Sequence, residues 1–207
     1  MTGQLSINAL RRLPRYLNYL NTLPLDVSHI SATQIAAAIG LHDVQVRKDL
    51  AAISGSGKPK TGYVTSHLID DIKALMKAGG AVRFCIVGAG HLGMALMQYG
   101  GFLEYGLVLT AVFDDIQAGM SPSSGMDILP LSSLKSVCSA QMIEVGIICT
   151  RGENAQEVFD LLVDANVKTI WNFAPVHLQT PENVTLAYEN MAASLAILCQ
   201  DVKKKTG

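Results

Sequence analysis

The hydrophobic rhythm of the chain changes once. Over residues 7–78 apolar positions recur at the three- and four-residue spacing of amphipathic helices, and beyond Gly79-Gly80 they come in short β-rich runs divided by helical stretches. Residues 7–23 place Ile7, Leu10, Leu13, Leu17 and Leu20 on one stripe. Pro14 either kinks that helix or marks its start, because proline lacks the amide donor that a helix interior needs. Ser31, with Gln34 three residues on, has the form of a capping box, and Gly40 can close the helix in a left-handed conformation. Asp43 reads as the cap of a second helix ending near Ser54-Gly55. Residues 55–65 are expected to form a short hairpin or wing, and 66–78 another amphipathic helix.

In the second half, buried strands are expected within 81–90, 107–115, 145–150 and 167–173, and helices at 91–99, about 131–139, 153–165 and 188–202. Strands and helices that alternate in this way build a parallel sheet covered on both faces. The glycine pair marks the domain boundary, so the expected division is 1–80, 81–187 and a C-terminal helix with its tail over 188–207.

One motif in the second half carries chemistry. Gly88-Ala89-Gly90-His91-Leu92-Gly93 directly follows the strand Phe84-Cys85-Ile86-Val87 and opens a helix. Gly88 permits the tight turn, Gly90 lets a pyrophosphate approach the backbone, and Gly93 allows close helix-strand packing. The amides at the start of the helix then face the phosphates. Asp114 lies 21 residues past Gly93, at the end of the next strand, where a carboxylate can accept hydrogen bonds from the adenosine ribose. Such an acid repels a 2′-phosphate, so NAD(H) is expected over NADP(H); Asp115 competes for the role, and spacing does not separate the two.

The net charge of −1 argues for neither nucleic acid nor membrane, but the charge is unevenly spread. Residues 1–60 hold seven basic residues against three acidic ones and no glutamate, a net +4, so any polyanion-binding face is expected there. Two short helices separated by Gly40-Leu41-His42 look like a helix-turn-helix with 43–53 as the recognition helix. Gln45, Arg47 and Lys48 are its base- and phosphate-facing candidates, whereas Val44, Val46 and Leu50 read as core or groove-hidden. Lys58 and Lys60 are placed to follow the DNA backbone from the wing. Cys85, Cys138, Cys149 and Cys199 form no C-x-x-C pair and read as reduced thiols of a cytoplasmic protein; no signal peptide or membrane-length apolar run is evident.

Together these segments resemble the Rex family of redox-sensing transcriptional repressors. The resemblance rests on Ser31-Ala32-Thr33-Gln34-Ile35-Ala36, Gln45-Val46-Arg47-Lys48-Asp49-Leu50, the glycine turn, Tyr99-Gly100-Gly101-Phe102 and Ala111-Val112-Phe113-Asp114. Ala155-Gln156-Glu157-Val158 and Asn172-Phe173-Ala174-Pro175 extend it over nearly the whole chain. It implies an α/β protein with an N-terminal winged helix-turn-helix domain and a C-terminal Rossmann domain. It further implies a homodimer that binds a palindromic double-stranded operator, senses the NADH/NAD+ ratio and swaps its C-terminal helix onto the partner, with NADH releasing DNA. By this resemblance Tyr99, Thr150, Arg151 and Asn172 join Gly88–Gly93, Asp114 and Asp115 at the cofactor, and Arg12 and Ser31 join Gln45, Arg47, Lys48, Lys58 and Lys60 at the DNA.

The departures from the family pattern are specific. A helix-one arginine and a C-terminal-helix aspartate form an intersubunit switch in the family with the tyrosine matching Tyr99; here the aligned positions are Asn18 and Asn190, followed by Met191 where an aromatic is common. Two amides can share a hydrogen bond but no salt bridge, which leaves less charge-driven bias. Ala51 to Gly55 replaces an aromatic-rich turn, Lys58-Pro59-Lys60 replaces an Arg-Gly, and Thr150-Arg151-Gly152 stands where Thr-Val-Pro is common. A paralogue with weakened redox response is therefore one alternative. An NAD-dependent oxidoreductase is another, but its only proton-transfer candidates, His91 and His177, both read as solvent-facing histidines. Arg151 is either a phosphate or carboxamide contact or a solvated helix-start arginine. The C-terminal helix is apolar around much of its circumference, which calls for a covering surface such as a partner subunit, and Lys203-Lys204-Lys205 reads as a solvated tail.

Overall fold

A proline decides how the chain enters its first domain. In the computed structural model, which describes residues 6–59, 61–121 and 125–206, the single stripe expected over 7–23 divides at Arg11-Arg12. A short α1 (Ile7–Leu10) is followed by α2 (Leu13–Asn21), with Pro14 in the first turn, where its missing amide is no loss. Leu13, Tyr16, Leu17 and Leu20 are buried, while Ile7 and Leu10 stay exposed, so the stripe seals only its second half.

β1 (His29–Ile30) leads into α3 (Ala32–Ile39), where Ser31 and Gln34 form the expected reciprocal capping box and Gly40 takes φ +67°. α4 (Asp43–Ile53) corrects one expectation: His42 holds the capping position without a side-chain bond, and Asp43 lies inside the first turn. There its charge favours the positive end of the helix macrodipole. β2 (Tyr63–Val64) pairs antiparallel with β1, Lys58 and Gly62 close the wing by mutual backbone bonds, and α5 (Thr65–Met76) follows. The wing was expected over 55–65, but two-residue strands carry no periodicity, which is why β1 and its pairing with β2 are invisible in the sequence. The result is a winged helix-turn-helix with its own core, in which Ile35, Val46, Leu50, Leu68 and Ile72 are fully buried. Lys60 lies outside the described residues.

The chain divides into two compact units, Met1–Gly80 and Ala81–Gly207. The second begins with β3 (Val82–Val87) and α6 (His91–Met97), then β4 (Leu107–Phe113), β5 (Ile128–Leu129), α7 (Leu134–Ala140) and β6 (Val145–Ile148). It ends with α8 (Gly152–Asp164), β7 (Thr169–Asn172), β8 (Thr185–Tyr188) and α9 (Met191–Thr206). The six strands pair in parallel in the order β5-β4-β3-β6-β7-β8, a Rossmann-type sheet. Alternate residues of β3 enter opposite cores, Phe84 and Ile86 on one face and Cys85 and Val87 on the other. The chain reverses its direction of winding between β3 and β6, and in such sheets ligands bind at the carboxyl ends of the strands flanking that point.

β5 and β8 are additional to the four expected strands. β8 also moves the start of the last helix from 188 to Met191, with the Asn190 side chain accepting the Ala193 amide at 2.9 Å. Met191, Leu195, Ile197 and Leu198 on α9 are exposed. All four cysteines are free thiols.

Candidate functional site: a nucleotide cleft and a nucleic-acid interface

The three glycines of the turn do three different jobs. Gly88 has φ +104°, and a Cβ there would lie 2.7 Å from the Cys149 carbonyl carbon. A Cβ on Gly93 would run into the Gly88 carbonyl oxygen, so helix α6 packs on its own entry turn through that missing atom. Gly90 differs from both, because a Cβ there would meet nothing within 4 Å. Its backbone faces open space, which is the condition for a phosphate to approach. His91 and Leu92 form the first turn of α6, with His91 exposed.

A cleft of about 420 Å³ opens beside this turn, lined by Gly88, Gly90, Asp114, Asp115, Thr150 and Arg151 among others. Asp114 and Asp115, equivalent by spacing, differ in what they hold. Asp114 accepts the Ala89 amide at 2.8 Å and the amides of Ile116 and Gln117 at 2.8 and 3.0 Å. A carboxylate has about four acceptor sites, so capacity remains for a ribose hydroxyl. Asp115 accepts the Leu131 amide at 2.8 Å, which ties it to the start of the next helical segment. Gln117, overlooked in the sequence, donates to the Ala89 carbonyl at 2.8 Å, so Ala89 is held through both its backbone N–H and its carbonyl. Its signal was present as Asp114-x-x-Gln117, the spacing of a capping box.

Thr150 contributes the group that most directly asks for a ligand. Its hydroxyl is buried on the cleft wall with no hydrogen-bond partner. Arg151 is exposed at the N-terminus of α8, 3.3 Å from Glu153. Burial pushes the neighbouring Cys149 thiol up to about 12, so it lines the cleft as an uncharged S–H with no thiolate character. Open backbone at Gly90, an unsatisfied hydroxyl at Thr150 and a free acceptor on Asp114 together suit a dinucleotide. Thr150→Val, which keeps the shape and deletes the hydroxyl, is expected to stabilise the unliganded protein by about 1 kcal/mol. The same change is expected to weaken dinucleotide binding by roughly tenfold. Melting curves with and without nucleotide read both effects; a drop in both would mean that the hydroxyl is already satisfied within the protein.

Two expected cofactor residues, Asn172 and Tyr99, do not line this cleft. Asn172 is wholly buried, its amide donating to the Ala174 carbonyl at 3.1 Å and its oxygen accepting the Ala174 amide at 2.9 Å. It folds the Asn-Phe-Ala-Pro loop and does not line the cleft. Tyr99 is exposed, packed edge-on against Phe102 at 5.2 Å, and lines a separate apolar hollow rather than the cleft. His91 and His177 are both exposed, and neither lines the cleft.

In the first unit, Val44, Gln45, Arg47 and Lys48 are exposed on α4, with Lys58 on the wing. Arg47 pairs with Asp43 at 2.9 Å, a solvated contact that a phosphate can readily replace. Ser31 is occupied in capping α3. Arg12, expected at the DNA, turns inward here, its Nε and Nη2 donating to Asp49 at 2.6 and 3.0 Å. Tyr16 donates to the same carboxylate at 2.6 Å and Gln45 at 2.9 Å. Burial pushes the Asp49 carboxyl up, but the bonds from Arg12, Tyr16 and Gln45 outweigh it and hold the group below its ordinary value. Burial, aided by the bond to Asp49, pushes the Tyr16 phenol up to about 12. This network fastens α4 to α2. Its sequence signal was Asp49 itself, an acid on the buried face between Val46, Leu50 and Ile53.

Asn18 is exposed on α2, and Asn190 caps α9. Among the described residues no cluster of three or more His, Cys, Asp or Glu could hold a metal, and no helix is long and apolar enough to cross a membrane.

Residues 4–51 match the family described as putative DNA-binding protein N-terminus, and residues 81–176 match the CoA binding domain family. The redox-sensing transcriptional repressor Rex of Brevibacillus brevis is 34% identical over 197 residues, covering 94% of this chain and 95% of its own. The protein of that name from Clostridium acetobutylicum is 34% identical over 213 residues, with coverages of 97% and 96%. Among solved structures, RSP in complex with beta-NAD+ and operator DNA superposes with a TM-score of 0.84 at 30% identity, over 98% of this chain and 94% of that one. RSP in complex with beta-NADH superposes with a TM-score of 0.82 at 29% identity, over 98% and 96%. Shared identity over nearly the full length of both chains, on the same two-unit architecture, establishes that this protein belongs to the Rex family.

Proposed function

We propose that this protein is a transcriptional repressor that binds a palindromic operator as a homodimer and releases it when NADH occupies the Rossmann cleft. The observation that carries the reading is the presence, in one chain, of a winged helix with an exposed basic face and a Rossmann cleft with the open turn at Gly90. Similar chains have been captured with both ligand types, RSP with beta-NAD+ and operator DNA and RSP with beta-NADH. Within the cleft, Gly88, Gly90 and the α6 amides would take the pyrophosphate, Asp114 the ribose and Thr150 a polar group of the dinucleotide. The bound group supplies a nicotinamide whose charge depends on its oxidation state. For that state to control DNA, NADH must bind the DNA-incompetent arrangement more tightly than the competent one, and operator must reciprocally weaken NADH. Among the described residues that line the cleft there is no histidine, lysine or tyrosine to transfer a proton, which favours a sensor over an oxidoreductase.

The exposed apolar residues of α9 support a homodimer, because Met191, Leu195 and Leu198 need cover that a partner subunit would provide. The amides at Asn18 and Asn190 favour a second reading, a repressor with a muted redox response, because neither position can carry a charge. Selection on a library of promoter duplexes tests the DNA half directly. A palindromic duplex is expected to be enriched, and its affinity is expected to fall with salt. With Arg47, Lys48 and Lys58 contributing from each protomer, the log–log slope is about −5. Failure to enrich any duplex, or a flat salt response, would overturn the repressor reading.

A further inference from the structure

We propose that the first turn of α4 reads A·T base pairs, with Gln45 taking the adenine edge and Val44 the thymine methyl group; this rests on the reading of α4 as the recognition helix. At 100° per residue, burial of Val46, Asp49, Leu50 and Ile53 leaves Val44, Lys48 and Ala51 along the middle of the opposite face. Arg47 and Gln45 flank that line. Val44 therefore sits at the centre of the exposed face and near the helix N-terminus, the part that enters a major groove deepest. It is 57% exposed, an apolar side chain among basic and polar neighbours. The valine side chain there can make no hydrogen bond and no ionic contact with a phosphate. In the major groove, the apolar feature of a base pair is the thymine methyl.

Gln45 is the second half of the reader, and Asp49 makes it selective. The Gln45 Nε2 donates to the Asp49 carboxylate at 2.9 Å, and a carboxylate only accepts, so the orientation of the amide is fixed. One N–H and the carbonyl oxygen remain. Adenine presents N7 as an acceptor and N6 as a donor, which that pair matches bidentately. Guanine presents two acceptors, N7 and O6, so one free N–H serves only one of them and the amide oxygen faces the other. An unclamped glutamine could offer both of its N–H groups; this one cannot. Asp49 is thus a positioning residue, held in turn by Arg12 and Tyr16.

The test uses the full chain on a duplex obtained by selection, with thymine replaced by deoxyuridine and adenine by 7-deazaadenine one position at a time. At least one position of each kind is expected to weaken the wild type about five- to tenfold. Val44→Ala is expected to erase the deoxyuridine penalty and keep the 7-deazaadenine penalty, and Gln45→Ala to do the reverse. Asp49→Asn frees the amide to turn and is expected to lower the preference for adenine over guanine at that position, which loss of folding alone would not do. Tight binding without penalties, or penalties that persist in the alanine variants, overturns the proposal while leaving the repressor reading intact. Absence of binding to every duplex overturns both.

Discussion

Gly93→Ala is expected to lower the stability of the Rossmann unit by about 3 kcal/mol and to weaken NADH binding by roughly 100-fold, the equivalent of about 3 kcal/mol. The added methyl would collide with the backbone carbonyl of Gly88, and no rotamer change can relieve a clash between two backbone-fixed atoms. Helix α6 must therefore shift away from the turn. The Gly88 carbonyl belongs to the same peptide as the Ala89 amide that Asp114 accepts, so the shift propagates to the acid at the end of β4. Gly90→Ala provides the contrast. Its φ of −66° suits alanine and its Cβ would meet no protein atom within 4 Å, so the unliganded protein is expected to melt unchanged. The methyl would instead occupy the space left for the pyrophosphate, and binding alone should fall. Thermal unfolding paired with an NADH titration separates the two variants; equal behaviour would mean that the turn is a packing device with no ligand role.

Asp49→Ala is expected to destabilise the winged-helix unit by about 3 kcal/mol and abolish operator binding while leaving NADH affinity unchanged. One carboxylate, 5% exposed, receives Arg12, Tyr16 and Gln45, and its loss leaves the Arg12 charge, itself only 19% exposed, without its partner. Tyr16→Phe removes a single bond to the same group and should cost about 1 kcal/mol. The pH dependence follows from the lowered carboxyl of Asp49. Its contribution is complete above the unfolded value of about 4 and is lost as pH falls through the still lower folded value. Hydrogen exchange of the α4 amides between pH 3 and 7 reads this directly. Protection should decline on the acid side in the wild type, and Asp49→Asn should flatten that decline. Unaltered protection in Asp49→Ala would show that α4 is held by its apolar face alone.

What the sequence made legible follows from how local each feature is. The glycine turn could be read because each glycine answers a short-range steric demand, and the capping box at Ser31 because its bonds span three residues. Asp114 and Asp115 could not be told apart, since adjacent acids differ only in direction, and direction is set by Ala89 and Leu131 far along the chain. Arg12 was placed at the DNA by resemblance, and nothing local points to its bond with Asp49, 37 residues away. Asn172 was drawn into the cofactor set by its motif, and only the fold reveals that its amide is spent on Ala174. β1, β2 and β5 are two residues each, too short for any alternation to register.

Titration of a preformed operator complex with NADH, NAD+ and their 2′-phosphorylated forms tests most directly whether the Rossmann cleft governs operator binding. NADH is expected to weaken the complex by a factor of roughly 5 to 150, NAD+ to leave it largely intact, and the phosphorylated forms to act only at much higher concentration because Asp114 repels the extra phosphate. Equal responses to NADH and NAD+, or an operator complex indifferent to every nucleotide, would contradict that control.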